Sequence, residues 1–188
     1  MTNFIKPYNP DWKTEFENLR DILYTELKEF KLNIQHIGST SIPGLIAKPI
    51  LDIDIIIKNK IHLGDISAIL EKLGYKNKGE QGISGRFAFR QSSDLTPSKG
   101  ASKNWQEHHL YVCLSDSLAL KNHIMFRDAL LQDTNLVNEY SQLKIKLTTE
   151  KGMTREKYNM KKTEFILNVL KVNGLDEKEL SEIKNVNI

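Results

Sequence analysis

The sequence predicts an α+β fold: a small mixed sheet with flanking helices and a helical C-terminal part. Three observations lead there. One amphipathic helical pattern opens the chain. β-branched and alternating segments fill the middle, with a single helix among them. Three long helical patterns then follow one another from about residue 117. At 188 residues the chain suits one domain with a core of its own. We read 1–173 as that domain and 174–188 as a charged tail or a short docked helix.

The elements follow in order. Residues 4–10 look extended, because Pro7 and Pro10 restrict the backbone. Asp11 is placed to cap a helix over 12–29, where Trp12, Phe16, Leu19, Leu23 and Leu27 recur at helical spacing. Leu32, Ile34 and His36 alternate with Asn33 and Gln35, which predicts a short strand. Gly38-Ser39-Thr40-Ser41 breaks it, and Pro43-Gly44 turns the chain again. Residues 50–57 are the clearest strand, apolar except for Asp52 and Asp54. A helix over 63–73 closes at Gly74. Strands over 75–79 and 86–91 flank a turn containing Gly82 and Gly85. Residues 92–106 are polar, hold Pro97 and Gly100, and read as a long surface loop. A strand over 107–114 precedes helices over 117–131, 134–150 and 154–172, the last ended by Gly174. Beyond it only Leu180 and Ile183 offer apolar anchors.

Composition narrows the function. Lys and Arg number 27 against 24 Asp and Glu, a net charge of +3, too small an excess to argue for nucleic acid by itself. The single cysteine, Cys113, excludes an intrachain disulfide and zinc sites that need two cysteines. No apolar run is long enough to cross a membrane. The N-terminus lacks the pattern of a signal peptide, so the expected setting is the cytoplasm.

Asp52 and Asp54 lie two apart on a strand and so share one face. Like charges side by side repel, and burial raises the cost. Mg2+ or Mn2+ would remove that penalty, since hard cations prefer oxygen ligands. Solvent, or a neighbouring Lys or Arg, would remove it too. The turn ahead of the pair bears on the choice: Gly38 allows close backbone approach, and Ser39 and Thr40 can hold phosphate oxygens. The same residues also make an ordinary capped turn.

Strand, Gly-Ser turn, short helix and Asp-x-Asp strand together resemble the nucleotidyltransferase superfamily, in its DNA-polymerase-beta-like form. The run from His36 to Asp54, His-Ile-Gly-Ser-Thr-Ser-Ile-Pro-Gly-Leu-Ile-Ala-Lys-Pro-Ile-Leu-Asp-Ile-Asp, resembles the signature of the GrpB family. So do Pro7 to Trp12, His109 to Val112, Phe126-Arg127-Asp128, Tyr140 with Leu143 and Lys144, and Arg155 with Tyr158, Lys162, Phe165 and Ile166. The resemblance implies a nucleotidyltransferase fold, in which the turn grips a triphosphate and Asp52 and Asp54 hold Mg2+ or Mn2+. It also implies a third ligand on the strand over 107–114. There the matching residue is His109, a poorer ligand for Mg2+ than a carboxylate but able to bind Mn2+ or act as a base. Glu107 shares its face, and a purely structural hydrogen bond from His109 to an aspartate is the other reading.

Lys48 is placed to reach a phosphate or to neutralise the pair. His123 and Arg127 share a helix face, as do Tyr158 and Lys162. If the late helices close over the sheet, Arg127, Lys144, Arg155 and Lys162 would face a phosphorylated ligand; otherwise they are solvated. The matches to the family favour Arg127 and Lys162. Arg86, Arg90, Lys99 and Lys103 lie in or beside the loop, as solvated charge or as a lid over a substrate.

The expected function is thus metal-dependent transfer of a nucleoside monophosphate to an unknown acceptor. The alternative is a non-catalytic module binding a nucleotide or another small phosphorylated ligand. Some family members look to be fused to a dephospho-coenzyme A kinase domain, which implies a link to coenzyme A metabolism. Nucleic acid is the weaker partner.

Overall fold

The computed structural model describes residues 5–99 and 103–186, with backbone alone at 155–156. Gly100 and the side chain of Arg155 therefore lie outside the described residues. Helix α1 (Asp11–Glu26) buries Trp12, Phe16, Leu19 and Leu23 along one stripe. Asp11 is its first residue and not its cap; its N–H is instead met by Asn9 Oδ1 at 3.0 Å. The helix stops three residues earlier than the spacing predicts. Leu27 leaves helical geometry while its N–H still bonds Leu23, so its side chain stays in the core.

Five strands form one mixed sheet in the order β1-β2-β5-β4-β3. They are β1 (Asn33–Ile37), β2 (Leu51–Ile57), β3 (Tyr75–Asn77), β4 (Arg86–Gln91) and β5 (His108–Leu114). β2 and β5 run parallel; the other pairs are antiparallel. Helix α2 (Leu63–Lys72) lies between β2 and β3 in the chain and ends at Gly74, whose φ of 96° suits glycine.

Alternation along β2 decides what each sheet face carries. Leu51, Ile53 and Ile55 are wholly buried and pack with Leu110, Val112, α1 and α2 to make the main core. Asp52, Asp54 and Ile56 face the other side, beside His109, Tyr111 and Cys113 of β5. That side is covered by α3 (Leu118–Gln132), through Leu120 and Ile124.

Two further helices complete the cover. α4 (Thr134–Thr149) and α5 (Arg155–Val172) join α3 around Tyr140, whose ring stacks on Phe165 at 4.7 Å. The segment left open between tail and helix carries α6 (Glu177–Val186), which buries Leu180 and Ile183 against Leu170 and Leu175. The polar loop after β4 is anchored and not merely solvated. Thr96 and Trp105 are buried in it, and Trp105 Nε1 donates to the Pro97 carbonyl at 3.1 Å. Lys99 and Lys103 of this loop pair with Glu26 and Glu15 of α1.

Candidate functional site at the Gly-Ser turn

The end of β1 and the start of β2 are neighbours, with Ile37 opposite Asp52. The next residue, Gly38, takes φ of 69°, and a Cβ there would run into Asp52 Oδ2. Glycine is thus required twice, by backbone conformation and by the carboxylate packed on it. Ser39–Ser41 follow as one 3-10 turn. Thr40 is buried inside it: its hydroxyl donates to the Ile50 carbonyl at 3.3 Å and lies 3.0 Å from His36 Nε2. His36 stacks on Phe16 with ring centroids 4.6 Å apart. Burial lowers its pKa to about 4, against a smaller upward pull from Asp52.

Ser39 faces the other way. Its Oγ accepts from Lys144 Nζ at 2.7 Å, and the same ammonium donates to the Ile46 carbonyl at 2.9 Å. Lys144 is buried, with Nζ 4.4 Å from the Tyr140 ring centroid. Burial first, and then the nearby charge of Lys162, lower its pKa to about 7, while Asp52 opposes them. Lys162 is also lowered, again chiefly by burial.

These groups line one cleft of about 300 Å³ with Lys48, Asp52, His109, Tyr111, Tyr158 and Asn159. His109 Nδ1 lies 2.9 Å from Asp52 Oδ1, and both side chains are about one-third exposed. The parallel register, Asp52 beside His109, creates this contact. Lys48 sits over the Tyr158 ring, 5.9 Å from its centroid.

Thr40, Asp54 and Arg127, all expected at the site, lie outside the cleft lining; Thr40 is buried with its hydroxyl on the Ile50 carbonyl and is not open to a phosphate. Asp54 is wholly buried and meets His123 Nδ1 with Oδ2 at 2.8 Å, outside the cleft lining. Arg127 ties α3 to β1, donating to Gln35 Oε1 at 2.8 Å and to the His36 carbonyl at 3.2 Å. Glu107 joins His109 on the wall of a second cavity, with Arg90 and Trp105, rather than in the cleft. Lys144 and Tyr158 stand in the family resemblance, and Lys144 also among the helix cations placed to face a phosphorylated ligand, whereas Asn159 carried no signal in the sequence.

The donor set open to the cleft is one carboxylate and one imidazole. That pair fits Mn2+ better than Mg2+, since imidazole is a poor ligand for Mg2+. The surrounding lysines fit phosphate oxygens.

The fold is that of the nucleotidyltransferases. Part of the Cid1 poly(U) polymerase, solved bound to MgATP, superposes with a TM-score of 0.59 at 12% identity, covering 86% of this chain and 50% of that one. A Cid1 structure described by its RNA terminal uridylyl transferase activity gives 0.58 at 14% identity, covering 88% of this chain and 48% of that one. The model of the GrpB protein family matches residues 3–172, and the chain belongs to that family. The crystal structure of the conserved protein GrpB from Enterococcus faecalis matches with a TM-score of 0.73 at 30% identity, covering 95% of this chain and 98% of that one. The UPF0157 protein YqkA of Bacillus subtilis is 32% identical over 85% of this chain, which spans only 43% of YqkA. The glutamate-rich protein GrpB of Alkalihalophilus pseudofirmus is 29% identical, covering 87% of this chain and 91% of its own length. Among the described residues no helix is long and apolar enough to cross a membrane.

Proposed function

We propose that the cleft holds the phosphate chain of a nucleoside triphosphate, and that the protein transfers the nucleoside monophosphate to an acceptor hydroxyl. The observation that carries this reading is the meeting of Lys48, Lys144 and Lys162 with Asp52 at the Gly38-Ser39 turn. Three ammonium groups suit a polyanion. A carboxylate set among them opposes anion binding unless a cation lies between, which is the logic of metal-assisted phosphoryl chemistry.

Asp52 would hold Mn2+ or Mg2+, which supplies charge stabilisation at the phosphate under attack, and His109 would join it as a ligand only where its Nε2 is not the base. The chain's own groups do the rest. Lys144 is held by Ser39 and the Ile46 carbonyl, so its ammonium meets phosphate at a fixed place. Thr40 supports the turn from beneath through Ile50. Asp52 orients His109 through Nδ1, which leaves Nε2 to take the proton of the acceptor hydroxyl. The new bond forms from that oxygen to the α-phosphorus, and pyrophosphate leaves. Asp54 is sealed from the cleft with one oxygen on His123, so it has no place on this cation. A reduced, cytoplasmic setting suits this chemistry.

One observation favours a second reading, a non-catalytic nucleotide- or phosphate-binding module, including one serving coenzyme A metabolism. Asp54, the second aspartate of the pair, is buried against His123 and not open to the cleft. Pyrophosphate release from a panel of nucleoside triphosphates, with Mn2+ or Mg2+ and candidate acceptors, separates the two. Release abolished by Asp52→Asn supports transfer. Binding without release supports the module. Absence of both contradicts both.

A further inference from the structure

The polar face of the sheet continues past the cleft. Tyr111 lies between two imidazoles, its ring centroid 6.3 Å from that of His109 and 6.1 Å from that of His123. On the His123 side three donor groups converge from three elements: Asp54 of β2, Cys113 of β5 and His123 of α3. One ligand atom from each lies within 4.8 Å of the other two. Asp54 and Cys113 are wholly buried. Asp54 Oδ2 is engaged by His123 and the Cys113 thiol lies against the same carboxylate, but Oδ1 has no hydrogen bond of full geometry among the described residues. A buried carboxylate oxygen without a partner is costly, and native structures rarely leave one so.

We infer that Asp54, His123 and Cys113 form a site for one Zn2+ ion, separate from the cleft. A carboxylate oxygen, an imidazole nitrogen and a thiolate sulfur are all established zinc ligands, and the sulfur selects against Mg2+ and Ca2+. The ion gives Asp54 Oδ1 the partner it lacks. Binding breaks the Cys113 S–H bond, forms a Zn–S bond and releases the proton to solvent. Two anionic ligands and a neutral imidazole cancel the charge of the ion. The guanidinium of Arg86, 4.7 Å from the Tyr111 ring centroid, therefore meets a neutral group and not a bare dication. His123 also lines a cavity of about 110 Å³ with Arg86, Asn122 and Glu182. Water from that cavity takes the fourth position, which leaves the site with three protein ligands and one open place. The ion would tie α3 to the two central strands. This inference goes beyond the cleft reading and does not rest on it.

The test uses the full chain, stripped with a chelator and titrated with Co2+ as a spectroscopic probe. The expected result is one Co2+ per chain, with a thiolate-to-cobalt charge-transfer band that Zn2+ removes and excess Mg2+ does not. Cys113→Ser loses the band, and His123→Gln and Asp54→Asn lose or greatly weaken it. Asp52→Asn keeps the band even where it abolishes nucleotide binding, so failure of the zinc site and failure of the cleft reading are distinguishable. Zn2+ should also raise the Tm of the wild type, an effect lost in His123→Gln. The wild-type spectrum decides the matter even if a variant fails to fold. No thiolate band at saturating Co2+, or a band lost in folded Asp52→Asn, overturns the inference.

Discussion

Lys144 Nζ lies 2.7 Å from Ser39 Oγ, joining α4 to the turn after β1 across 105 residues of sequence. The contact places a buried ammonium beside the turn proposed to hold phosphate, with the Ile46 carbonyl as its second acceptor. Lys144→Met removes the ammonium, and with it a charged hydrogen bond to phosphate worth about 1.5–3 kcal/mol. We expect affinity for a nucleoside triphosphate to fall by about 10-fold or more, by the usual relation of 1.4 kcal/mol to a factor of ten. Titration calorimetry on a variant with unchanged circular dichroism measures this. An unchanged affinity contradicts the placement of phosphate beside Lys144.

The same lysine makes binding depend on pH. Burial, and then Lys162, lower its pKa to about 7, so near neutrality a share of the molecules carry it uncharged. An anionic ligand favours the charged form. Binding should therefore take up a proton above about pH 7, and affinity should weaken by up to about 10-fold per pH unit there. Calorimetry in two buffers of different ionisation enthalpy reads the proton directly. In the free protein the depressed pKa acts against folding. The unfolded chain holds this proton more strongly, so the penalty is full below about 7 and fades as pH rises toward the ordinary lysine value.

His36 and His108 act in the same direction as Lys144, in a more acidic window. Burial lowers both to about 4. His108 is fixed neutral between Tyr75 Oη at 2.7 Å and the Gln106 carbonyl at 2.8 Å. The unfolded chain protonates them first, so their contribution to stability is lost as pH falls from about 6.5 to about 4. Proton NMR of the two imidazole rings should show flat shifts from about pH 8 down to about 5. A midpoint near 6.5 for either ring contradicts the buried neutral assignment.

Gly38→Ala strains a backbone held at φ of 69° and presses a methyl group against Asp52. We expect a loss of about 1–3 kcal/mol in urea unfolding, together with weaker ligand binding, because the aspartate itself must move. A neutral substitution contradicts the close approach of turn and carboxylate.

The anchoring of α6 is testable by Leu180→Ala. Its side chain packs on Leu170 and Leu175, and such truncations cost about 2–5 kcal/mol. The helix should then detach before the rest unfolds, so limited proteolysis should cut first beyond Gly174. Resistance equal to the wild type contradicts this.

The order of elements was legible because it rests on local spacing. Two-residue alternation in β2 put Asp52 and Asp54 on one face, and the three long helical patterns begin within two residues of α3, α4 and α5. Alternation in β5 likewise grouped Glu107, His109 and Tyr111 on one face, and the parallel register, which the sequence does not state, brought His109 to Asp52. What sequence reasoning could not reach depends on how α3 and α4 lie over the sheet. His123 and Arg127 share a helix face, yet His123 meets Asp54 while Arg127 meets Gln35 and the His36 carbonyl. Lys144 read as one basic residue among several, and its burial follows from the packing of α4 on the turn. The two aspartates, equal in the strand pattern, are divided by this cover: Asp52 opens to the cleft and Asp54 is sealed.

The central claim is that Asp52 and the lysines around it hold a nucleoside triphosphate together with a divalent cation. Titration calorimetry of the wild type, Asp52→Asn and Lys162→Met against nucleoside triphosphates, with and without Mn2+, tests it most directly. The account predicts binding that strengthens with Mn2+ in the wild type, loses that dependence in Asp52→Asn, and weakens by about 10-fold or more in Lys162→Met. Tight binding that ignores the metal and survives both substitutions would contradict it.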